Sequence, residues 1–328
     1  MTDYKNVRYK LPAVTLSGDT ESSPAEGDIW YESGKFNLGT SQTFTAGTWS
    51  SGGNLATASY GVAGAGTQTA GLCMGGFTTG YSTTTQEYNG TAWSSGGSMA
   101  TARYQPGAAG TQTAGLCMGG DENPASNIWD TTEEYDGSTW TSGGDLSSAR
   151  TRLVGAGTQS AGLCTGGWDG SSYQNVTEEY NGTAWSSGGN LGTARQSLAG
   201  AGTQSAGLCM GGTDGSNSNV TEEYDGTSWS AGGNLATARR LFAGCGTQLA
   251  GLCMGGEPGP SNVTEQYNGV SWSSGGNLAT ARGYLGGAGT LSAGLCMGGY
   301  LTGTTTHTEE YTSESGSYDE LFSPSQGL

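Results

Sequence analysis

One unit of 43 to 47 residues recurs six times along this chain of 328 residues and constrains its fold more than any other feature. A tryptophan marks the same position in every copy, and successive tryptophans are 44, 47, 45, 44 and 43 residues apart. Repeats of this length indicate one supersecondary unit per copy, packed against its neighbours along the chain. The six tryptophans are Trp49, Trp93, Trp140, Trp185, Trp229 and Trp272.

Each unit contains four short segments with the patterns of β-strands. One copy, from Thr193, reads TARQSLAGAGTQSAGLCMGGTDGSNSNVTEEYDGTSWSAGGNL. SLAGAG is rich in small residues, as expected of the strand nearest a crowded axis, and SAGLCMGG is apolar on both faces, as expected of a strand between two layers. NVTEEY and the tryptophan segment are joined by Asn-Gly or Asp-Gly, a strong hairpin signal. Four strands per unit predict an all-β fold, a six-bladed β-propeller with four antiparallel strands in each blade.

The order of the segments also predicts how the ring closes. Trp49 precedes the first complete unit, and no tryptophan segment follows Tyr311. The Trp49 strand is therefore expected to complete the last blade, begun by residues 283–311, which removes the exposed edges of an open sheet. The propeller is predicted to span 41–311, between an N-terminal arm at 1–40 for attachment or packing and a C-terminal tail at 312–328. The arm contains PAEGDIWYESGKFNL, which indicates a short hairpin.

Composition and charge exclude several classes of protein. The chain has 63 glycines and only 12% charged residues, which disfavours a helical core. Its formal net charge of −17 should repel nucleic-acid phosphates and anionic membrane surfaces. No apolar run approaches the roughly 20 residues of a membrane-spanning helix. We therefore expect no nucleic-acid partner and no membrane insertion.

Six of the seven cysteines occupy one position of the repeat and are expected to be buried free thiols. Equivalent positions on neighbouring blades lie too far apart for a disulfide, which needs Cα atoms within about 7 Å. The six are Cys73, Cys117, Cys164, Cys209, Cys253 and Cys296, and Cys245 is the seventh.

Five arginines follow the repeat tryptophans by ten residues and allow two interpretations. As functional residues they would ring one mouth of the channel and bind an anion such as a sialic-acid-like or phosphate group. As structural residues they would pair with acidic residues of the third strand, such as Glu178 and Glu179, or with backbone carbonyls, because buried arginines are normally paired. We expect the structural role. The residues are Arg103, Arg150, Arg195, Arg239 and Arg282, and Ser59 stands where a sixth would be.

The loops between the double glycines and the third strands differ in length and sequence, whereas the segments around them hardly change. All six are expected to emerge on one face, and an aromatic, polar surface built from loops suits sugar stacking or protein recognition. Drift in unconstrained loops is the structural alternative. The six repeat tryptophans, in contrast, are expected to pack between blades. The predicted binding residues are Phe77, Tyr81, Trp129, Trp168, Tyr173, Tyr300 and His307, with Trp129, Trp168 and Tyr173 as the main anchors.

The repeat resembles the kelch repeat over roughly residues 41–311. A double glycine ends the second strand, a tyrosine ends the third, a tryptophan begins the fourth and an arginine opens the next unit. The segments SGGNLATAR and AGAGTQ are similar to kelch-like repeat proteins of tailed bacteriophages, marine ones especially, and GDIWYES resembles segments of phage fibre-type proteins. The repeat tyrosines are Tyr88, Tyr135, Tyr180, Tyr224, Tyr267 and Tyr311.

This resemblance implies a non-enzymatic virion protein, displayed on the particle as a fibre or appendage, a host-attachment module or a capsid decoration. The arm would join it to other virion proteins, the loop face would bind a host surface glycan or protein, and several copies would form a homo-oligomer on the particle. The protein would be made in the host cytoplasm and located in the virion. Two alternatives stay open: a carbohydrate-active enzyme with a sialidase-like site, and a cellular kelch adaptor.

No cofactor is predicted. Kelch-like galactose oxidases hold copper with two histidines and two tyrosines, and this chain has one histidine. Asp121, Glu122, Asp169 and Asp214 lie in the variable loops, and DGSNSN resembles an oxygen-rich calcium loop. Calcium is therefore the one metal that the residue types leave open.

Overall fold

The computed structural model describes residues 29–32, 35–38, 46–123 and 127–313. Ile29–Glu32 pairs antiparallel with Lys35–Leu38, which confirms the hairpin indicated by the sequence. This hairpin belongs to a different unit from the repeats, which lie in Phe44–Glu314. The rest of the predicted arm and nearly all of the predicted tail lie outside the described residues.

The repeats form six four-stranded antiparallel sheets around a common axis. The strands of each sheet are called A to D from the axis outward, and neighbouring A strands contact each other all the way round. The described residues contain no helix, and so none that could cross a membrane. The chain is a six-bladed β-propeller.

The blades are numbered 1 to 6 from the first complete repeat. Their A strands are Ala63–Gly66, Gly107–Thr111, Val154–Thr158, Ala199–Gly202, Ala243–Gly246 and Gly286–Gly289. Their B strands are Gly71–Met74, Ala114–Met118, Ala161–Thr165, Gly207–Met210, Gly251–Met254 and Ala293–Met297. Their C strands are Thr85–Tyr88, Thr132–Tyr135, Thr177–Tyr180, Thr221–Tyr224, Thr264–Tyr267 and Thr308–Thr312. Their D strands are Trp93–Ser95, Trp140–Ser142, Trp185–Ser187, Trp229–Ala231, Trp272–Ser274 and Thr48–Ser51.

Blade 6 is completed by the strand nearest the start of the propeller, as the sequence predicts. Thr48–Ser51 pairs antiparallel with Thr308–Thr312, so that Trp49 lies opposite Tyr311. Blade 6 therefore has the same four strands as the other five. Blade 2 carries an additional short hairpin in its variable loop, formed by Asp121–Asn123 and Asn127–Ile128.

Small residues fill the A strands because neighbouring blades meet closely at the axis. A Cβ atom on Gly64 would lie 2.5 Å from the carbonyl oxygen of Gly287, and one on Gly155 would lie 2.3 Å from that of Ala108. These distances are shorter than real Cβ contacts, so a larger residue at either position requires the backbone to move. The small-residue pattern thus reflects the crowding that the sequence indicated.

The B strands are buried on both faces, as their apolar sequences predict. All four residues of Gly207–Met210 are buried, for example. The repeat cysteines on these strands are buried free thiols, and so is Cys245, which confirms the prediction of unbridged cysteines. Burial raises the pKa of these thiols, to about 12 for Cys73 and Cys209, so they stay protonated near neutral pH.

The repeat tryptophans join neighbouring blades. Each indole N–H donates to the hydroxyl of the threonine that opens strand C of the preceding blade, at 2.9 or 3.0 Å in all six junctions. Each ring also packs on the tyrosine of its own blade, with centroids 4.8 or 4.9 Å apart. These aromatic residues therefore belong to the scaffold.

Two further side-chain contacts recur at five of the six junctions. The tyrosine of strand C donates to a glutamate of the preceding blade, as Tyr224 does to Glu179 at 2.6 Å. A glutamine in the turn between strands A and B donates to two carbonyls of the preceding blade. Gln248, for example, donates to Gly207 and Tyr224 at 3.1 and 2.7 Å. The equivalent glutamines are Gln68, Gln112, Gln159 and Gln204.

The junction between blades 5 and 6 lacks both contacts. Leu291 occupies the glutamine position and Gln266 the glutamate position. Both polar atoms of the Gln266 side chain are buried and have no hydrogen-bond partner. Of the three repeated side-chain contacts, this junction keeps the hydrogen bond from Trp49 to Thr264. We therefore expect it to be the weakest of the six.

The five repeat arginines are buried in ion pairs with the second residue of strand C. The Arg195 guanidinium lies 2.6 Å from Glu222 and also donates to the carbonyls of Gly211 and Val220 at 2.5 and 3.0 Å. Their guanidinium groups are thus paired within the blades, and none of the five lines either of the two axial cavities described below. The other pairs are Arg103–Glu133, Arg150–Glu178, Arg239–Glu265 and Arg282–Glu309.

Blade 1 replaces both members of this ion pair at once. Ser59 stands where the other blades have arginine, and Gln86 stands where they have glutamate. The Gln86 side chain keeps the second contact of the glutamate, since its Oε1 accepts the backbone N–H of Ala56 at 2.8 Å. A carboxylate buried without its cation destabilises a fold. Blade 1 avoids this cost because the glutamate is replaced by an uncharged residue together with the arginine.

This internal replacement predicts how an ion pair can be exchanged. Arg195→Ser alone should lower the free energy of unfolding by about 3 kcal/mol, because it leaves Glu222 buried and unpaired. Arg195→Ser with Glu222→Gln recreates the residues of blade 1 and should recover a large part of that loss. Chemical denaturation of the single and double variants measures both effects. A double variant as unstable as the sum of the two single ones would contradict the coupling.

The incomplete junction predicts a stabilising change. Leu291→Gln combined with Gln266→Glu supplies the two contacts found at the other junctions and should raise the midpoint of thermal unfolding by about 2 °C or more. Gln248→Leu, which copies the Leu291 arrangement into a complete junction, is the matched control and should lower the midpoint. Calorimetry of the unchanged protein, the double variant and the control measures the three midpoints. An unchanged or lower midpoint for the double variant would disprove the expectation.

Candidate functional site

The variable loops and the connections between blades lie on the same face of the propeller, called the upper face. In each blade, the residue after the repeat arginine forms an antiparallel bridge with the residue after the double glycine. Thr151 thus pairs with Trp168, and Arg240 pairs with Glu257. In blade 1, where Ser59 replaces the arginine, Tyr60 pairs with Phe77. The turns between strands A and B and between C and D form the opposite, lower face.

A closed circle of backbone hydrogen bonds surrounds the axis at the upper face. The second residue after each repeat arginine donates its N–H to the carbonyl of the equivalent residue in the preceding blade, at 2.8 to 3.0 Å. The circle is complete because the N–H of blade 1 donates to the carbonyl of blade 6. Its members, called the mouth ring, are Gly61, Gln105, Arg152, Ser197, Leu241 and Tyr284.

All six residues of the mouth ring have left-handed backbone conformations, with φ between 49° and 64°. This conformation costs a residue other than glycine roughly 1–2 kcal/mol, and it persists where the surrounding structure holds the backbone. Here the circle of hydrogen bonds holds it. The side chains differ in every blade, so the structural role belongs to the backbone and the side chains are available for other contacts.

Two cavities lie on the axis beside the mouth ring. One, of about 80 Å³, is lined by the mouth ring and by the residue after each of its members. Those following residues form an apolar collar of buried side chains: Val62, Pro106, Leu153, Leu198, Phe242 and Leu285. The other, of about 170 Å³, is called the mouth cavity. It is lined by Tyr104, Gln105, Arg152, Gln196, Ser197, Arg240, Leu241 and Tyr284.

Aromatic rings gather on one side of the upper face, around Tyr60. Its ring lies 5.2 Å from that of Tyr300, 5.6 Å from those of Phe77 and Tyr104, and 5.7 Å from that of Tyr284. Tyr81 extends the group, at 5.3 Å from Phe77 and 6.3 Å from Tyr104. Tyr81 and Tyr300 remain 37% and 38% exposed, so their rings are accessible to a ligand.

The two propeller arginines outside the repeat ion pairs, Arg152 and Arg240, both line the mouth cavity. Arg152 donates from Nη1 to Oε1 of Gln196 at 3.2 Å, and its guanidinium lies 5.5 Å from the centroid of the Trp168 ring. Arg240 is exposed. Neither has a carboxylate oxygen within 4.0 Å among residues 46–123 and 127–313. The cavity thus combines aromatic rings, amides, a hydroxyl and two unpaired cations.

Tyr60 and Tyr104 stay neutral at physiological pH, because both have raised pKa values. Burial raises the pKa of Tyr104 far above its ordinary value, and the nearby Tyr284 and Tyr60 add to the shift, while Arg152 partly opposes it. Burial, with Tyr284 and Tyr300, also raises the pKa of Tyr60. Neutral phenols stack and form hydrogen bonds, but they are poor nucleophiles.

The structure brings together some of the residues predicted to bind and separates others. Phe77 and Tyr300 both contact Tyr60, and Tyr81 contacts Phe77. Trp168 contacts Arg152 and forms a bridge with Tyr173, and both aromatic side chains are half-buried.

Trp129 and His307 occupy scaffold positions of their loops. The Trp129 N–H donates to Gly120 and its carbonyl accepts from Arg150, as a serine, glutamine or threonine does in the other blades. Its side chain is half-buried, and its indole N–H is buried without a hydrogen-bond partner. The His307 carbonyl accepts from Gly298 and Arg282, while its side chain is exposed.

Sequence reasoning missed the residues between the repeat arginine and strand A. These include all eight residues that line the mouth cavity. The signal was present, because no two copies have the same three residues here, although the segments on both sides hardly change. They read YGV, YQP, TRL, QSL, RLF and GYL in blades 1 to 6.

Two of the acidic residues considered for calcium, Asp169 and Asp121, already accept hydrogen bonds within the protein. One Asp169 oxygen accepts the backbone N–H groups of Ser171 and Ser172, at 2.8 Å each. Asp121 is fully buried and accepts the Thr151 hydroxyl at 2.6 Å, and burial raises its pKa. In the part of the chain that the structure describes, no three His, Cys, Asp or Glu side chains come together in a way that could hold a metal ion.

Comparison with known proteins supports the assignment of the fold and nothing beyond it. No protein-family model matches the chain, and no curated protein matches it in sequence. Its fold matches 343 chains of solved structures, a number too large to indicate one function. One of them, described as "Structure of YjhT", superposes with a TM-score of 0.67 at 12% sequence identity. The match covers 81% of this chain and 100% of that one.

The mouth ring predicts an unusual response to substitution. Gln105→Gly should keep or raise the free energy of unfolding, by up to about 1 kcal/mol, because glycine adopts its left-handed conformation without strain. Gln105→Val should lower it, because a β-branched residue is strongly disfavoured there. The same two changes at Ser205, an exposed lower-face residue without positive φ, are the control and should not favour glycine. Denaturant unfolding of the four variants measures this order, and a Gln105→Gly variant clearly less stable than Gln105→Val would refute it.

Proposed function

We propose that this propeller is a non-enzymatic binding module of a tailed-phage particle and that it recognises its ligand with the upper face. The phage assignment rests on the kelch-like repeat and on the resemblance of its segments to phage repeat proteins. A host-attachment module, a fibre or appendage and a capsid decoration all fit this proposal. The ligand would be a glycan or a protein on the host surface.

The observation that carries the proposal is the division of residues between scaffold and mouth. The scaffold uses five of the seven propeller arginines in buried ion pairs, and it uses the repeat tryptophans and tyrosines at the blade junctions. The two remaining arginines and the aromatic group around Tyr60 lie together at the upper face. Side chains outside the repeated scaffold contacts, gathered around one cavity, are typical of a recognition surface.

The state of the candidate nucleophiles supports binding over catalysis. An activated tyrosine or cysteine nucleophile needs a lowered pKa or an adjacent base. Burial instead raises the pKa of Tyr104 and of the repeat cysteines. A sialidase-like site needs a cluster of arginines, and the five repeat arginines are occupied by glutamates and carbonyls. Two arginines are left at the mouth, enough to hold an anionic group.

The proposal also assigns a role to residues 1–40. Residues 1–40 carry every lysine of the chain and lie outside the repeat, so we assign to them the attachment to other virion proteins. Several copies would sit on one particle with their upper faces outward. A cellular kelch adaptor would act as a single copy beside other domains, and it is the outcome against which the particle assignment is tested.

A density map of the intact phage particle tests the assignment. The expected result is a six-bladed ring on the particle surface with its upper face outward. Trp168→Ala and Tyr300→Ala in the assembled particle should each reduce adsorption to host cells at least tenfold, because aromatic residues of a recognition surface supply much of the binding energy. Leu249→Ala, on the lower face and 52% exposed, is the control and should leave adsorption unchanged. A particle without the ring, or contacts made by the lower face, would contradict the proposal.

A further inference from the structure

We infer that the mouth cavity binds the carboxylate of an acidic saccharide between Arg152 and Arg240. This deepens the proposed function, on which it rests, by naming the chemistry of the ligand at the same face. The cavity combines a fixed cation, a free cation, and a polar and aromatic wall around them.

Arg152 is the fixed cation. Its hydrogen bond to Gln196 and its position against the Trp168 ring orient the guanidinium, and its backbone belongs to the mouth ring. Its Nε is buried and has no hydrogen-bond partner. An oriented guanidinium is suited to a planar anion, because its donors match the two oxygens of a carboxylate.

Arg240 is the free cation. It lines the same cavity, and its guanidinium has no hydrogen bond or ion pair within the described ranges 46–123 and 127–313. Its backbone is fixed by the bridge to Glu257, so its side chain starts from a defined point at the cavity wall. A second cation at one cavity strengthens the attraction for a single anionic group.

Neither neighbouring acidic group forms an ion pair with these cations within residues 46–123 and 127–313. Asp121 is fully buried and accepts the Thr151 hydroxyl at 2.6 Å. The Glu257 carboxylate lies beside Gly283, away from any ion pair with Arg240. The protein has a net charge of −17, so two arginines without carboxylate partners at one cavity are a local excess of positive charge. This local charge favours the binding of an anion there.

The rest of the wall fits a sugar. Gln105, Gln196 and Ser197 offer amide and hydroxyl groups to ring hydroxyls, and Tyr104 and Tyr284 add phenols and aromatic surface. Beyond the cavity, the exposed rings of Tyr81 and Tyr300 can stack on further sugar residues. The volume of about 170 Å³ is small beside ordinary ligand pockets, so it suits one terminal residue of a glycan.

The test measures binding of three uronates, galacturonate, glucuronate and mannuronate, to the purified full chain by ligand-observed NMR. Galactose, glucose and mannose are the matched controls, since each differs from its uronate only in having no carboxylate. At least one uronate should bind at least tenfold more tightly than its parent sugar, and added salt should weaken that binding. Acetate and inorganic phosphate, tested in the same way, should bind more weakly than the preferred uronate.

Two variants assign the binding to the site. Arg240→Gln and Arg152→Gln should each weaken uronate binding at least tenfold, because each removes a charge-assisted contact. Ser205→Glu changes the net charge by the same amount on the lower face and should leave the affinity unchanged. Arg152 belongs to the mouth ring, so its variant is also checked by thermal unfolding; Arg240 is exposed and gives the independent measurement.

The inference is overturned if no uronate binds better than its parent sugar, or if Arg240→Gln binds as well as the unchanged protein. Phosphate or acetate binding as tightly as the best uronate would also overturn it, since the site would then select charge without a sugar. These results are separate from the particle map. A ring on the particle without uronate binding would remove this inference alone, and uronate binding by a chain absent from the particle would remove the phage assignment alone.

Discussion

Six backbone hydrogen bonds close a circle around the axis at the upper face, and the architecture of the mouth depends on them. Each bond joins neighbouring blades, so the circle can be complete only if all six blades are present and the ring is shut. Five of its residues are not glycine and still keep a left-handed conformation, as Leu241 and Tyr284 do. Since the backbone makes the bonds, the chain can place a glycine, an arginine, a leucine or a tyrosine in this circle. Sequence variation at the mouth is the physical consequence.

The remainder of the scaffold follows a second rule, which is that the polar side chains buried at equivalent positions recur together with their partners. In blade after blade, the tryptophan donates to a threonine, the tyrosine donates to a glutamate, and the arginine forms an ion pair with a glutamate. Where one partner changes, the other tends to change with it, as Ser59 and Gln86 do in blade 1. The junction between blades 5 and 6 departs from this rule, because Gln266 lacks the partner its equivalents have. That exception lies beside the strand that closes the ring.

The sequence predicted the scaffold well because the residues that pack the blades recur at the same positions in six copies. The strand count and the role of Trp49 in blade 6 followed from the order of the segments, and the structure has both. The mouth was harder to predict. A left-handed Leu241 leaves no mark in a sequence, and the axial position of Tyr60, Arg152 and Arg240 depends on how six connections converge. Trp129 was interpreted by its residue type, whereas its place in the loop is a scaffold position, which only the backbone hydrogen bonds reveal.

Hydrogen–deuterium exchange at the six mouth-ring amides tests the account most directly. If the circle of hydrogen bonds fixes the mouth, these amides should exchange as slowly as those of the buried B strands, through opening of the whole propeller. Protection should be similar in Gln105, Leu241 and Tyr284, whatever the side chain. Amides of the mouth ring that exchange as fast as an exposed lower-face turn, such as that of Ser205, would contradict it. The variable side chains would then stand on a mobile rim instead of a fixed frame.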